Sequence, residues 1–181
     1  MSFRYEIRLS GEGGQGLVLA GKILAEAAAI YDDLNATQSQ SYGPEARGGA
    51  SRSEVIISDE DIDYPKAVDI DLLLALTQES VDKYYQDVKE DGVIVVDEDN
   101  IKQLPTGPFK VHKVPVIRLA RENLGRALVA NIVALGVIAR ISKVVSEDAL
   151  KKAIEARVPK GTEELNLKAF ETGMKAYSEI E

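Results

Sequence analysis

Residues 5–30 read YEIRLSGEGGQGLVLAGKILAEAAAI, and this stretch decides the fold. Tyr5, Ile7 and Leu9 alternate with Glu6 and Arg8, the two-residue period of a strand. Gly11-Glu12-Gly13-Gly14-Gln15-Gly16 follows as a glycine turn with the spacing G-x-G-x-x-G. Leu17, Ala20, Leu24, Ala27 and Ala28 then recur at helical spacing, so Leu17–Ile30 is predicted as a buried helix. Strand, tight turn and helix make the first half of a βαβ unit.

The rest of the chain extends this pattern. Thr37–Tyr42 reads as a short strand, Gly43–Ser53 as a glycine-rich loop and Glu54–Ser58 as a strand. The continuous apolar run Leu72–Leu76, inside Asp71–Thr77, is what a strand covered on both faces requires. Gln78–Lys89 is predicted helical and stopped by Gly92, ahead of a buried strand at Val93–Val96. Val111–Ile117 reads as a further strand broken by Pro115. From Asn123 onward the pattern is helical, with Gly125 or Arg126 opening a long buried helix. Ser146 is a predicted N-cap, followed by Glu147 and Asp148 where the helix dipole favours acids. Pro159-Lys160-Gly161 breaks the chain, and Thr162 starts a last helix to about Tyr177. The alternation predicts one α/β domain over 1–181: a doubly wound, Rossmann-like, mostly parallel sheet with helices on both faces and a helical C-terminal region.

Charge and composition narrow the function. Lys+Arg 22 against Asp+Glu 30 leaves a net charge of −8, which repels phosphate backbones and anionic membrane surfaces, so neither nucleic acid nor membrane is an expected partner. With no cysteine, disulfides, thiolate zinc, thiolate-held iron–sulfur clusters and a cysteine nucleophile are excluded. His112 is the single histidine, beside Lys110 and Lys113, and reads as an ordinary strand or loop residue. The N-terminus lacks an apolar signal core. Ala127–Ala139 spans roughly 20 Å as a helix, short of the roughly 30 Å bilayer core, so a soluble, cytoplasmic protein is expected.

Each motif has a competing bland reading. The glycine turn suits close approach of a pyrophosphate to a helix N-terminus, or it serves only to pack helix on strand. Glu12 places a negative charge in that cradle. Asp32 and Asp33 have the offset of a ribose-binding acid but precede the second strand, so a nicotinamide or flavin site is disfavoured. Gln38–Gly49 gathers amides, hydroxyls, Tyr42, Arg47 and flexible glycines, a composition fitted to a ligand site or a subunit interface, or to a merely solvated loop. Asn131 in the apolar helix needs hydrogen-bond partners, expected within the fold, and Gly136 points to close packing. Asp59–Asp63 lacks the spacing of a calcium loop and reads as a solvated acidic turn. Asp91-Gly92 with Asn100 falls short of a thiamine diphosphate motif because Glu90 stands where glycine is needed. No G-x-S-x-G elbow is present, and no supporting pattern builds a triad around His112.

The turn Gly11–Gly16 with Leu17–Ala25, then Ser41-Tyr42-Gly43-Pro44-Glu45-Ala46-Arg47-Gly48-Gly49, then Glu54–Asp59, together resemble the gamma subunit of 2-oxoacid:ferredoxin oxidoreductases. Asn131 with Leu135-Gly136 is similar to a later helix motif of that family, and the resemblance runs along nearly the whole chain. Within the family it is strongest toward the 2-oxoglutarate enzyme, with the pyruvate, branched-chain 2-oxoacid and indolepyruvate enzymes as alternatives. The resemblance implies a non-catalytic subunit of a hetero-oligomer with alpha, beta and ferredoxin-like delta chains. Thiamine diphosphate, Mg2+ and iron–sulfur clusters would sit on the other chains, and the complex would use coenzyme A and ferredoxin. It implies a scaffold that helps shape the coenzyme A entrance, with Gly11, Gly13, Gly14, Gln15, Gly16 and Arg47 nearby and Tyr42, Gly43, Pro44, Glu45, Arg47, Gly48 and Gly49 at an interface. The rival from another class is a free-standing nucleotide- or coenzyme-binding protein built on the glycine turn.

Overall fold

The alternation in β1 (Arg4–Gly11) sorts its side chains onto two faces, and both faces are covered. The structure is a computed structural model describing residues 2–41 and 50–180. Ile7 and Leu9 enter the larger apolar core, while Glu6, Arg8 and Ser10, on the other face, are buried as well. The chain continues through α1 (Leu17–Glu26), β2 (Asn35–Ser41), β3 (Ser51–Ser58), β4 (Ile70–Ala75), α2 (Gln78–Tyr84), β5 (Val88–Asp97) and β6 (Lys110–Val114). It ends in α3 (Val116–Leu124), α4 (Ala130–Ser142), α5 (Glu147–Arg157) and α6 (Glu163–Ile180).

Six strands form one sheet in the order β2-β3-β1-β4-β5-β6. The pairs β1/β4, β4/β5 and β5/β6 are parallel, and only β3 runs against the others, slotted between β2 and β1. The mostly parallel α/β sheet expected from the sequence is therefore present, with one antiparallel insertion. Coverage of its faces is unequal. α1, α3, α4, α5 and α6 contribute to the core on one face. α2 is the helix that packs into the smaller core on the other, built from Leu73, Ala75, Ile94 and Val96.

Several boundaries differ from the sequence reading, among them the start of β3 at Ser51, inside the predicted loop Gly43–Ser53. The predicted helix Gln78–Lys89 ends at Tyr84, and β5 begins at Val88, so Gly92 lies inside a strand and does not terminate a helix. The β4/β5 register slips between Ile70 and Leu72, and the slack is taken up by Asp91, whose φ is 62°, and Gly92, whose Cβ would strike the Val88 side chain and the Lys89 carbonyl. A further difference is α3. The predicted strand Val111–Ile117 stops at Val114, Pro115 turns the chain, and a helix follows at once. Gly125, at φ 72°, closes α3 and does not open the next helix.

α3 has no side-chain cap of its own. Asp97, fully buried at the end of β5, supplies one: its Oδ1 accepts from Ile117 N at 3.2 Å and its Oδ2 from Asn100 N at 3.2 Å. Burial holds the Asp97 carboxyl above its ordinary 3.8, partly opposed by these backbone donors. A raised folded-state pKa means the native state binds the proton more tightly, so this group's contribution is full below the unfolded value and is lost as pH rises through the folded one. Urea midpoints measured over a pH series are expected to fall more steeply with rising pH, from about pH 4 upward, in the wild type than in Asp97→Asn. Identical pH slopes would contradict this assignment.

The C-terminal helices meet by close approach. α4 is buried from Ala130 through Ala139, apolar on every side as a helix in a core must be. It crosses α6 at Gly136 and Gly173, where a Cβ on either glycine would lie inside the backbone carbonyl of the other helix, Phe170 O or Val133 O. Gly21 plays the same part where α1 rests on Ser53 of β3. Ser146 caps α5 by accepting from Ala149 N at 3.1 Å, as its sequence position predicts. Asp32, held apart from any ribose site, accepts from both Ser146 N and Ser146 Oγ, at 2.6 Å and 2.7 Å.

Candidate functional site: the crevice at the glycine turn

β1 and β4 are parallel neighbours, yet the helices that follow them lie on opposite faces of the sheet. Where such connections diverge, a crevice opens beyond the carboxyl ends of the strands, and open α/β sheets bind ligands there. The Gly11–Gly16 turn occupies this position.

The glycines do not share one role. Gly14 and Gly16 have φ of 88° and 76°, a region that side chains with a Cβ enter at a cost. Gly16 is the N-cap of α1, and a Cβ there would also press on Asn131 Nδ2 at 2.5 Å. A Cβ on Gly11 would meet the Gln15 side chain. Gly13 has neither a positive φ nor any neighbour within 4 Å of the place a Cβ would take, so the fold does not account for it. Among the described residues the amides of Gly13, Gly14 and Gly16 donate to nothing. Orphan donors at a helix N-terminus with no acid in its first turn form an anion-favouring rim. Glu12 stands on that rim and is exposed, while its N–H donates to Gln15 Oε1 at 2.7 Å.

Asn131 ties the second helix to this turn. Its Nδ2 donates to Gly16 O at 3.0 Å, and its Oδ1 accepts from Ile132 N at 2.9 Å. The buried amide is thus satisfied within the fold as expected, but across 115 residues of chain. Asn131→Ala leaves Ile132 N without its partner and Gly16 O with Ala20 N alone, and is expected to cost about 1–3 kcal/mol in urea unfolding.

Gln15 divides the crevice. On one side is an apolar hollow of about 260 Å³ bounded by Leu76, Ile117, Ala127 and Leu128. On the other is a polar one of about 340 Å³ formed by Glu12, Thr77, Gln78 and Asn100. Thr77 caps α2 through Ser80 N, and Gln78 Oε1 accepts from Lys102 N and Gln103 N at 2.8 Å and 3.1 Å, which fixes the polar wall. A third hollow of about 240 Å³ lies behind Leu128, between Gly16, Asn131, Val158, Leu165 and Asn166. Sequence reasoning reached the glycines, Gln15 and Asn131. It missed Leu128, Arg126, Gln78, Asn100 and Asn166, which come from segments without a motif.

Among the described residues, the lining of the two hollows beside Gln15 contains Glu12 as its one titratable side chain, and the buried Asp97 accepts from backbone donors. Among the described residues no group of three or more His, Cys, Asp or Glu is placed to hold a metal ion, and no helix is long and apolar enough to cross a membrane. His112 packs edge-on against Tyr177, ring centroids 5.4 Å apart, away from the crevice. Tyr42, Gly43, Pro44, Glu45, Arg47, Gly48 and Gly49 lie outside the described residues. Of the described residues on either side of them, Ser51 pairs with Gly11 at the glycine turn, and Ser41 pairs with Arg52, one strand further out.

Comparison with known proteins gives a consistent picture. Residues 6–176 match the family model "Pyruvate ferredoxin/flavodoxin oxidoreductase". The chain is 52% identical to the 2-oxoglutarate synthase subunit KorC of Methanocaldococcus jannaschii, covering 99% of this chain and 97% of that protein. The subunit of the same name from Methanothermobacter thermautotrophicus is 45% identical, covering 97% of this chain and 96% of that one. Among solved structures, the gamma subunit of a keto/oxoacid ferredoxin oxidoreductase from Geobacter sulfurreducens superposes with a TM-score of 0.91 at 53% identity, covering 98% of each chain. Relatives named for other 2-oxoacids are more distant. The pyruvate synthase subunit PorC of Methanothermobacter thermautotrophicus is 36% identical over 97% of this chain. The ketoisovalerate oxidoreductase subunit VorA of that organism is 33% identical over 92% of this chain, which spans 35% of that longer protein.

Proposed function

Because the chain belongs to the pyruvate ferredoxin/flavodoxin oxidoreductase family, we propose that it is the gamma subunit of a 2-oxoacid:ferredoxin oxidoreductase acting on 2-oxoglutarate, and that it serves the complex as a binding scaffold. The reaction of such a complex converts 2-oxoglutarate, coenzyme A and two oxidised ferredoxins to succinyl-CoA, CO2, a proton and two reduced ferredoxins. One observation carries the choice of substrate: identity is 52% and 45% to subunits named for 2-oxoglutarate, against 36% and 33% to those named for pyruvate and ketoisovalerate. Thiamine diphosphate, Mg2+ and iron–sulfur clusters belong, on this reading, to alpha, beta and delta chains. A chain without cysteine has no thiolate to hold a cluster.

The contribution of this chain lies in the glycine turn. The free amides of Gly13, Gly14 and Gly16 suit an anionic oxygen, and coenzyme A carries phosphates. On this reading Arg47, in the segment Tyr42–Gly49, supplies a cation to the coenzyme A entrance. In the assembled complex Arg47→Ala is expected to raise the KM for coenzyme A about 10-fold, the loss of one charge-assisted hydrogen bond, with kcat for 2-oxoglutarate nearly kept. Unchanged assembly together with an unchanged KM removes that loop from the entrance. The substrate is tested by coenzyme A-dependent ferredoxin reduction with the complete complex, where 2-oxoglutarate should exceed pyruvate and branched 2-oxoacids. The isolated chain should reduce no ferredoxin with any of them.

A further inference from the structure

The two hollows on either side of Gln15 draw one wall each from a different segment, and a single buried side chain holds both segments. Asn100, in the turn after β5, lines the polar hollow. Ile117, the second residue of α3, lines the apolar one. Asp97 Oδ2 accepts from Asn100 N and Asp97 Oδ1 from Ile117 N, each at 3.2 Å. Asp97 itself is fully buried and borders neither hollow.

Both groups to be held are N–H donors, so the side chain between them has to accept twice, and an ionised carboxylate is a group that only accepts. Capping α3 does not by itself require this arrangement. A Ser, Thr, Asn or Asp at the N-cap would serve, where Pro115 stands without a side-chain bond. Burying a carboxylate is costly unless its hydrogen bonds are made. What Asp97 adds over a local cap is a link: the turn after β5 and the start of α3 are tied to one point, which sets the separation of the two walls. The tie is tighter on the apolar side. Asn100 N has a second acceptor, Asp97 O at 3.3 Å, whereas Ile117 N has Oδ1 as its one acceptor among the described residues.

We infer that Asp97 is a positioning residue for coenzyme A, fixing the distance between the two walls among which the ligand enters. The inference rests on the reading of the crevice as the coenzyme A entrance. Asp97 does not touch the ligand and acts through Ile117 and Asn100. Asparagine is the replacement that separates this role from plain packing, because its shape is nearly the same. Whichever way its amide turns, an NH2 faces one of the two backbone N–H groups, and the wall on that side is released.

The test is steady-state ferredoxin reduction by the complete complex, with coenzyme A varied at saturating 2-oxoglutarate and then the reverse. Asp97→Asn is expected to raise the KM for coenzyme A about 5-fold, with kcat and the KM for 2-oxoglutarate kept. A purely structural role would lower the amount of competent complex, hence kcat, and move neither KM. An unchanged KM for coenzyme A overturns the proposal, whatever happens to kcat, and so does an equal rise in both KM values. Asn100→Ala reads the same wall without touching the core, since that side chain is exposed at the polar hollow. If Asp97→Asn does not assemble, a raised KM for coenzyme A in Asn100→Ala with kcat kept sustains the proposal, and an unchanged one overturns it. Gly13→Val tests the underlying reading separately, because the fold leaves room at Gly13 and the added side chain obstructs only the amide rim. A raised KM for coenzyme A there, with none in Asp97→Asn, overturns the positioning role alone. An unchanged KM in Gly13→Val overturns the crevice reading, and the proposal with it.

Discussion

Gly173→Ala is expected to lower the unfolding free energy by on the order of 3 kcal/mol. The reason is the kind of atom that would be struck. A Cβ on Gly173 would overlap the Val133 carbonyl of α4, which is backbone and fixed within a helix, so no rotamer change relieves it. Gly136→Ala meets the Phe170 carbonyl and the Met174 amide of α6 in the same manner. Relief requires the two helices to separate, and Phe170, fully buried among the residues of that core, loses packing when they do. With an m-value of about 2 kcal/mol/M, the urea midpoint should fall by about 1.5 M. An alanine at an exposed helical position such as Glu171→Ala is the control and should move the midpoint little. A Gly173→Ala midpoint equal to wild type would mean the helices do not cross at the distance described.

Arg8→Met should cost about 2–3 kcal/mol, for the opposite reason: it removes a buried charge that Asp87 and Glu54 both face. Arg8 is on the polar face of β1, its side chain 4% exposed, with Nη1 at 2.5 Å from Asp87 Oδ2 and Nη2 at 3.1 Å from Glu54 Oε2. Its guanidinium lies 4.9 Å from the centre of the Tyr84 ring. Asp87 is half exposed and water can replace the arginine there, but the Glu54 side chain is 13% exposed and would keep Arg52, 3.3 Å from its Oε1, as its one remaining ion-pair partner among the described residues. The double variant Arg8→Met/Glu54→Gln should therefore recover part of the loss, and the coupling measured in the cycle reports the pair. Equal stability of the single and double variants would show that Glu54 does not depend on Arg8.

The same side chain illustrates how far a sequence can be read. Alternation of Tyr5, Ile7 and Leu9 with Glu6 and Arg8 correctly identified a strand and its apolar face. Nothing local revealed that Glu6 and Arg8 are buried too, because their partners, Val68 N, Asp69 N, Glu54 and Asp87, come from segments 46 to 79 residues away. For α3 the local pattern misled: its capping acid, Asp97, is 20 residues before Ile117, so Pro115 read as a strand break when it marks a helix start. For α5 the cap was local, Ser146 to Ala149, and the prediction held.

What the sequence by itself determined is whatever short-range physics controls. That includes the strand–turn–helix at residues 4–26, the parallel apolar strands, the buried helix around Asn131, the absence of thiolate chemistry and, through resemblance, the family. Tertiary structure alone decided which face each helix covers, that β3 runs against its neighbours, that Gly136 and Gly173 meet, and that Leu128 stands exposed between two hollows beside the glycine turn. Periodicity and capping act over three or four residues and leave a mark in the local sequence. Helix crossings, borrowed caps and crevices depend on which distant segments the sheet order brings together, and no local pattern encodes that order.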